Sequence, residues 1–331
     1  MGFKSCWPQR VVMGIKYPVF YIVLLLLPFH VLANDTLEHN LRNWLDVITA
    51  SALKHSYEGI FVYRYDAQIM AMQVVHSADG TNEQEKITSL SGPEHQILQQ
   101  GRSLALNFKE SQRALQGSQS TEQRPDFDET LMVHYGVNAQ GTDRIAGRET
   151  RVVRIVAKDQ YRYGYDLWLD LQTNLVLRSD MVNSKGDIIE QVMFTEISLV
   201  DFEHAQAQMS VSGDNAHTDK PMTKPAVSGR IVNVEWQIGE QPEGFVLTSH
   251  YVKPASKIQL RYEHMVLTDG LASVSVFIEK VTSDSESLVG QRKMGAVNAF
   301  GRVINDYQVT VVGDVPAVTV KLIAQSVRLK S

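Results

Sequence analysis

The chain has 331 residues, 44% of them hydrophobic and 21% charged, with a formal net charge of −5. The apolar fraction excludes a disordered chain, the length suggests two domains at roughly 100–200 residues each, and the acidic balance carries no general footprint for nucleic acid. A single cysteine, Cys6, excludes a disulfide framework, a cysteine-ligated zinc site and a CxxC redox pair.

The N-terminus reads as a secretory signal peptide over residues 1–33. Lys4, Arg10 and Lys16 stand without an acid, an apolar run follows from Val19 to Leu27, and Val31-Leu32-Ala33 offers small residues for a cut after Ala33. The apolar run is short against the ~20 residues of a membrane-spanning helix. Cleavage removes Cys6 and those three basic residues, leaving 29 Lys+Arg against 37 Asp+Glu, a net charge of −8. The expected product is a soluble, exported protein in the periplasm.

A first domain is expected over residues 34–204. Asp35 and Glu38 have capping-box spacing. Leu37, Leu41, Trp44, Leu45, Ile48 and Ala52 then recur every three or four residues, as the apolar stripe of a helix does. Beyond Lys54 the period becomes two. Phe61, Tyr63 and Tyr65 share one side of a strand, and Met70, Met72, Val74 and His76 one side of the next. Tyr161–Asp170 predicts another strand, with Tyr161, Tyr163, Tyr165, Leu167 and Leu169 on one face and Arg162, Asp166 and Asp170 on the other. Asp79-Gly80, Thr173-Asn174 and Lys185-Gly186-Asp187 supply turns. The pattern predicts a large curved antiparallel sheet with its apolar face under the first helix. Residues 109–130 are polar and read as a loop.

Residues 205–229 hold two Pro and no Leu, Ile or aromatic residue, the composition of a flexible linker. A smaller domain is expected over 230–331, with strands at Ile231–Trp236, Phe245–Tyr251, Gln259–Leu267, Leu271–Glu279 and Tyr307–Val312. Thr268-Asp269-Gly270 forms a turn, and a last helix starts at Pro316. Charge divides at the linker: 16 basic and 25 acidic residues before it, 11 and 10 after it.

No catalytic constellation emerges, and no cofactor is called for. There is no Gly-x-Ser-x-Gly, P-loop or Gly-x-Gly-x-x-Gly, and no two histidines of residues 34–331 have metal-ligand spacing. His76, on an apolar strand face, reads as a hydrogen-bonded core residue, and Asp126, Asp128 and Glu129 as solvated charge. Apolar surface remains. Phe61, Tyr63, Tyr65, Met72, Tyr161, Tyr163 and Tyr165 each read individually as core, and as a set could line a lipid pocket. Arg292, Lys293 and Arg302 read as solvated charge or as a contact for an acidic partner or anion.

Several stretches, in order, resemble one family. They are Tyr57-Glu58-Gly59-Ile60-Phe61-Val62-Tyr63, His76–Gly80 with Leu90-Ser91-Gly92-Pro93, and Gly147-Arg148 leading to Tyr161–Asp170. In the second half they are Pro242-Glu243-Gly244-Phe245, Asp269-Gly270-Leu271 with Ser273–Val276, and Val309–Pro316. The chain resembles the RseB/MucB family of periplasmic regulators of the sigma-E envelope-stress response. The resemblance implies an α+β chain. Its N-terminal domain is a half-open antiparallel β-barrel covered by helices, like the lipoprotein carriers, and its C-terminal domain is smaller. It implies a non-enzymatic negative regulator that binds the periplasmic domain of a membrane anti-sigma factor, shields it from site-one proteolysis and senses lipid or lipopolysaccharide. It leaves room for a homo-oligomer. A periplasmic lipid or lipoprotein carrier is the alternative. Glu94–Gln99 departs from the family's basic pattern after Gly92-Pro93, and Asn174 and Val176 replace a Gly and a Pro.

Overall fold

Helix α1 (Leu41–Lys54) forms where the apolar stripe predicts it, and Leu41, Trp44, Leu45, Ile48 and Ala52 are its buried side. The computed structural model describes residues 41–92, 96–100, 127–210, 235–254, 261–282 and 287–330. The expected signal peptide and the Asp35/Glu38 capping pair lie outside them.

After α1 the chain alternates through β1 (Ser56–Tyr65), β2 (Gln68–Ala78), β3 (Glu83–Ser89) and β4 (Gln96–Gln100). Helix α2 (Phe127–His134) precedes β5 (Tyr135–Ile145), β6 (Arg148–Ala157), β7 (Gly164–Asp170), β8 (Val176–Val182) and β9 (Ile188–Val200). These nine strands make one antiparallel sheet in the order β4-β3-β2-β1-β9-β8-β7-β6-β5. β4 and β5 are its edges, so the sheet is open among the described residues. The period-two pattern places Leu167 at 0% exposure and Leu169 at 1% on the face that α1 covers, in a cluster with Val153, Ile155 and Met181. A second cluster gathers Tyr57, Phe61, Val74, Trp168, Leu177 and Phe194.

Helix α3 (Phe202–Ser210) then packs on β2 and β1. The smaller domain has β10 (Trp236–Ile238), β11 (Val246–Pro254), β12 (Arg261–Thr268), β13 (Ser273–Lys280), β14 (Gly290–Met294), β15 (Val297–Ile304), β16 (Tyr307–Gly313), helix α4 (Ala317–Ser326) and β17 (Val327–Leu329). Six of these strands form a sheet in the order β11-β12-β13-β16-β15-β14, while β10 pairs with β17. Met265, Leu267, Val274, Val276, Ile278, Val309 and Val311 pack against Val320, Ile323 and Ala324 of α4.

Three local expectations change. Tyr161–Tyr163 are not part of β7, because the Asp159 carboxylate accepts the Tyr161 amide at 2.8 Å and turns the chain before the ladder begins. Of the loop expected over 109–130, residues 109–126 lie outside the described part, and 127–130 are already helical in α2, anchored by Leu131 at 2% exposure. Helix α3 runs to Ser210, inside the expected linker, because Ala205 is fully buried and Gln206 Nε2 donates to Ser77 Oγ at 2.9 Å. The remainder of that linker, 211–229, is outside the described residues.

Candidate functional site

The aromatic residues singled out in the sequence do not gather in one cluster. Phe61 is 1% exposed and packs on Phe194, with ring centroids 5.9 Å apart, and Met72 and Tyr63 lie against that second cluster. Tyr163 and Tyr165, each 7% exposed, belong instead to the cluster beneath α1. The latter contains two members from the other domain: Leu271, between β12 and β13, and Ala296, between β14 and β15. One apolar core therefore runs from the nine-stranded sheet into two hairpin tips of the six-stranded sheet, and polar contacts line the seam between them.

Arg162 is the centre of one end of this seam. Its side chain and that of Asp269 are both 0% exposed, and its Nε donates to Asp269 Oδ2 at 2.7 Å. Nη1 donates to Asp159 and Nη2 to the carbonyl of Glu243. The guanidinium lies 5.0 Å from the Phe245 ring centre and 5.8 Å from that of Tyr135. Tyr135 Oη donates to Asp269 Oδ2 at 2.9 Å, while Asp269 Oδ1 accepts the amides of Leu271 and Ala272 at 2.9 and 2.7 Å. A buried cation is tolerable only when paired and hydrogen-bonded, and here each guanidinium nitrogen has an oxygen partner. Burial, and after it the negative Asp269, pushes the Tyr135 hydroxyl well above its ordinary pKa. Burial and then Arg162 lower that of His134. Gly244, at φ +85°, passes so close that an added Cβ would lie 2.5 Å from His134 Cδ2.

The rest of the seam is tied by single contacts. Asn298 Nδ2 donates to Tyr163 Oη at 3.0 Å and to the Val315 carbonyl at 2.9 Å. Thr319 Oγ1 donates to the Tyr161 carbonyl at 2.7 Å. Glu190 has a raised pKa because burial outweighs the stabilising pull of the Tyr63 hydroxyl. Burial, and then Glu190, raises the pKa of Tyr63 in turn. At the far end Asp66 Oδ2 accepts the Gly295 amide at 3.2 Å, and Lys293 Nζ stands 3.9 Å from Asp66 Oδ1. That pair is about half exposed on both sides, where an ion pair contributes at most about 1 kcal/mol.

Tyr65, whose Cβ lies 3.1 Å from where a Cβ on Gly295 would be, joins Tyr161, Tyr163, Tyr165 and Lys293 at the seam, whereas Phe61 and Met72 lie away from it. The basic trio is not one patch. Arg292 pairs with Ala299 and Lys293 with Asn298, so their side chains leave opposite faces of the sheet. Arg302, further along β15, donates from Nη1 to the Gln325 carbonyl at 2.9 Å. Sequence reading missed Arg162 and Asp269 altogether. Arg162 sat at a position assigned to the polar face, and Asp269 read as an ordinary turn residue. A signal existed in Asp159-x-x-Arg162, an acid and a base three positions apart, which a continuing strand would send to opposite faces and a turn brings together. His76 is fully buried, with Nε2 2.9 Å from the Ala52 carbonyl and its ring stacked on Tyr57 at 4.6 Å, the hydrogen-bonded core histidine expected. Among the described residues no group of three or more His, Cys, Asp or Glu is placed to hold a metal ion.

Known proteins match this arrangement over nearly its whole length. The Pseudomonas aeruginosa "Sigma factor AlgU regulatory protein MucB" is 27% identical over 295 residues, covering 86% of this chain and 90% of that protein. The Haemophilus influenzae "Sigma-E factor regulatory protein RseB" is 25% identical over 300 residues, covering 88% and 92%. A crystal structure of MucB in complex with MucA(peri) superposes with a TM-score of 0.64 at 23% identity, covering 88% of this chain and 99% of that one, and shares the two-sheet fold. The family model for the MucB/RseB N-terminal domain matches residues 40–216, and that for the C-terminal domain matches 231–328. The chain belongs to the MucB/RseB family.

Proposed function

We propose that this chain is an exported regulator that holds the periplasmic domain of a membrane anti-sigma factor, shields it from the site-one protease, and is loosened by lipid or lipopolysaccharide. The observation that carries the reading is the end-to-end match to proteins named as sigma-factor regulators, one of them solved with MucA(peri). The signal peptide cut after Ala33 delivers the chain to the periplasm, and residues 34–204 and 230–331 act as lipid-facing and partner-facing domains. Regulation of this kind needs no catalytic step. The alternative of a lipid or lipoprotein carrier uses the same apolar face but gives no role to the Leu271 and Ala296 tips that sit on it.

Mixing the purified protein with the periplasmic domain of its cognate anti-sigma factor tests this. The expected result is a complex at about 1 μM and slower site-one cleavage. No complex at that concentration, or unchanged cleavage, sinks the regulator. Handover of bound lipid to an acceptor membrane with no effect on the anti-sigma factor would establish the carrier instead.

A further inference from the structure

An apolar chain that uses the α1-covered face of the large sheet has to enter a region that is already filled. Protein interiors are packed to crystal density, and voids much larger than a water molecule are rare. Leu41, Trp44, Leu45 and Ile48 of α1 occupy one side of this cluster, and Leu271 and Ala296 enter it from the six-stranded sheet, at 2% and 1% exposure. The two sets differ in how they are held. α1 contributes four large side chains on one continuous helix. The two tips contribute one leucine and one alanine, each placed by polar contacts beside it. Asp269, bonded to Arg162 and Tyr135, sets Leu271. Gly295, bonded to Asp66, and Asn298, bonded to Tyr163, set Ala296. Polar contacts exchange readily for water when surfaces part, whereas stripping the four residues of α1 exposes more apolar area.

We propose that the Leu271 and Ala296 hairpin tips stopper the apolar face of the N-terminal sheet, so that an apolar chain entering this face and the docking of the C-terminal domain on it exclude one another. The inference rests on the lipid-sensing reading above and supplies its regulation. Lipid is converted into a movement of the C-terminal domain because the ligand binds only the undocked arrangement. The apparent affinity for lipid then falls with the fraction of molecules that are undocked.

The test locks the seam. On a Cys6→Ser background, Asp66→Cys and Lys293→Cys place two thiols where the parent side chains already approach to 3.9 Å. A cleavable bis-maleimide joins them. The probe is N-phenyl-1-naphthylamine, with palmitate as competitor. The expected result is binding to the unlinked double variant, weaker by at least about tenfold after cross-linking and restored once the linker is reduced. Restoration shows that the linked protein kept its fold. Equal binding by linked and unlinked protein leaves lipid sensing standing and overturns the exclusion, since the chain would then enter beneath α1. Absence of palmitate-competed binding in every form overturns the lipid reading and the exclusion with it.

Discussion

Replacing Asp269 with Asn tests the seam at its most buried point. The substitution keeps Oδ1 for the Leu271 and Ala272 amides but puts an amide nitrogen where Oδ2 now accepts from Arg162 Nε at 2.7 Å and Tyr135 Oη at 2.9 Å. Two donors then face a third, and the fully buried guanidinium loses its one fully buried carboxylate. Asp159, the other, is 28% exposed. Breaking a buried pair in this way costs about 3–5 kcal/mol. At roughly 2–4 °C per kcal/mol for a body of 150–250 residues, the melting temperature should fall by about 6–20 °C. Arg162→Met should cost less, because Asp269 keeps three donors. The informative variant is the double one. Removing the cation relieves the donor clash, so Arg162→Met/Asp269→Asn should be more stable than Asp269→Asn alone. Urea unfolding followed by far-ultraviolet circular dichroism measures all three. Additivity of the two single effects within about 0.5 kcal/mol would refute the reasoning, because it would mean the two groups do not depend on each other.

Three further substitutions and one pH series bear on the same architecture. Leu45→Ala, at 0% exposure on the buried side of α1, should lower stability by about 2–5 kcal/mol in the same unfolding assay. Gly244→Ala should destabilise by about 2 kcal/mol or more, since φ is +85° and the new methyl meets the His134 ring and Arg162. Thr319→Val leaves the Tyr161 carbonyl without its 2.7 Å donor, at a cost of about 1–3 kcal/mol, read from the shift in urea midpoint. Glu190 has a folded pKa raised above its ordinary 4.5 by burial, so its contribution is full below that value and is lost as pH rises through the raised one. Stability of Glu190→Gln relative to the parent should therefore increase from acid to neutral pH. A difference in urea midpoints that stays flat between pH 4 and 8 would contradict this.

Local pattern made much of the fold legible. The three- and four-residue spacing of Leu41, Trp44, Leu45 and Ile48 identifies α1 because a helix buries one stripe. The alternation of Leu167 and Leu169 with Asp166 and Asp170 identifies β7 because a strand buries one face. The turns at Gly80, Asn174, Gly186 and Gly270 were visible because few residues tolerate the positive φ they adopt. β14 and β15 were not visible. Gly290–Met294 carries Gln, Arg and Lys on an exposed edge, and a strand that buries almost nothing leaves no period.

The candidate site was legible only in part, for a different reason. That Tyr165 would be buried follows from its own strand, whereas Tyr163 is buried just outside it. That Asn298 would meet Tyr163, or that Thr319 would meet the Tyr161 carbonyl, depends on segments more than one hundred residues apart in the chain. Likewise the adjacent pair Arg292-Lys293 reads as one patch in sequence, but strand geometry sends consecutive side chains to opposite faces.

The same distinction applies to charge and composition. By itself the sequence made α1, β1, β7 and several turns legible, along with the uneven acidity on either side of residues 205–229 and the family the chain resembles, because these depend on residues within a few positions of each other or on their order. Only the tertiary structure decided that a turn aspartate and a strand-flanking arginine would become a buried pair, and that Leu271 and Ala296 would close the core of the other sheet. A buried charge is stable only where a partner arrives from elsewhere in the fold, and no local pattern encodes that arrival.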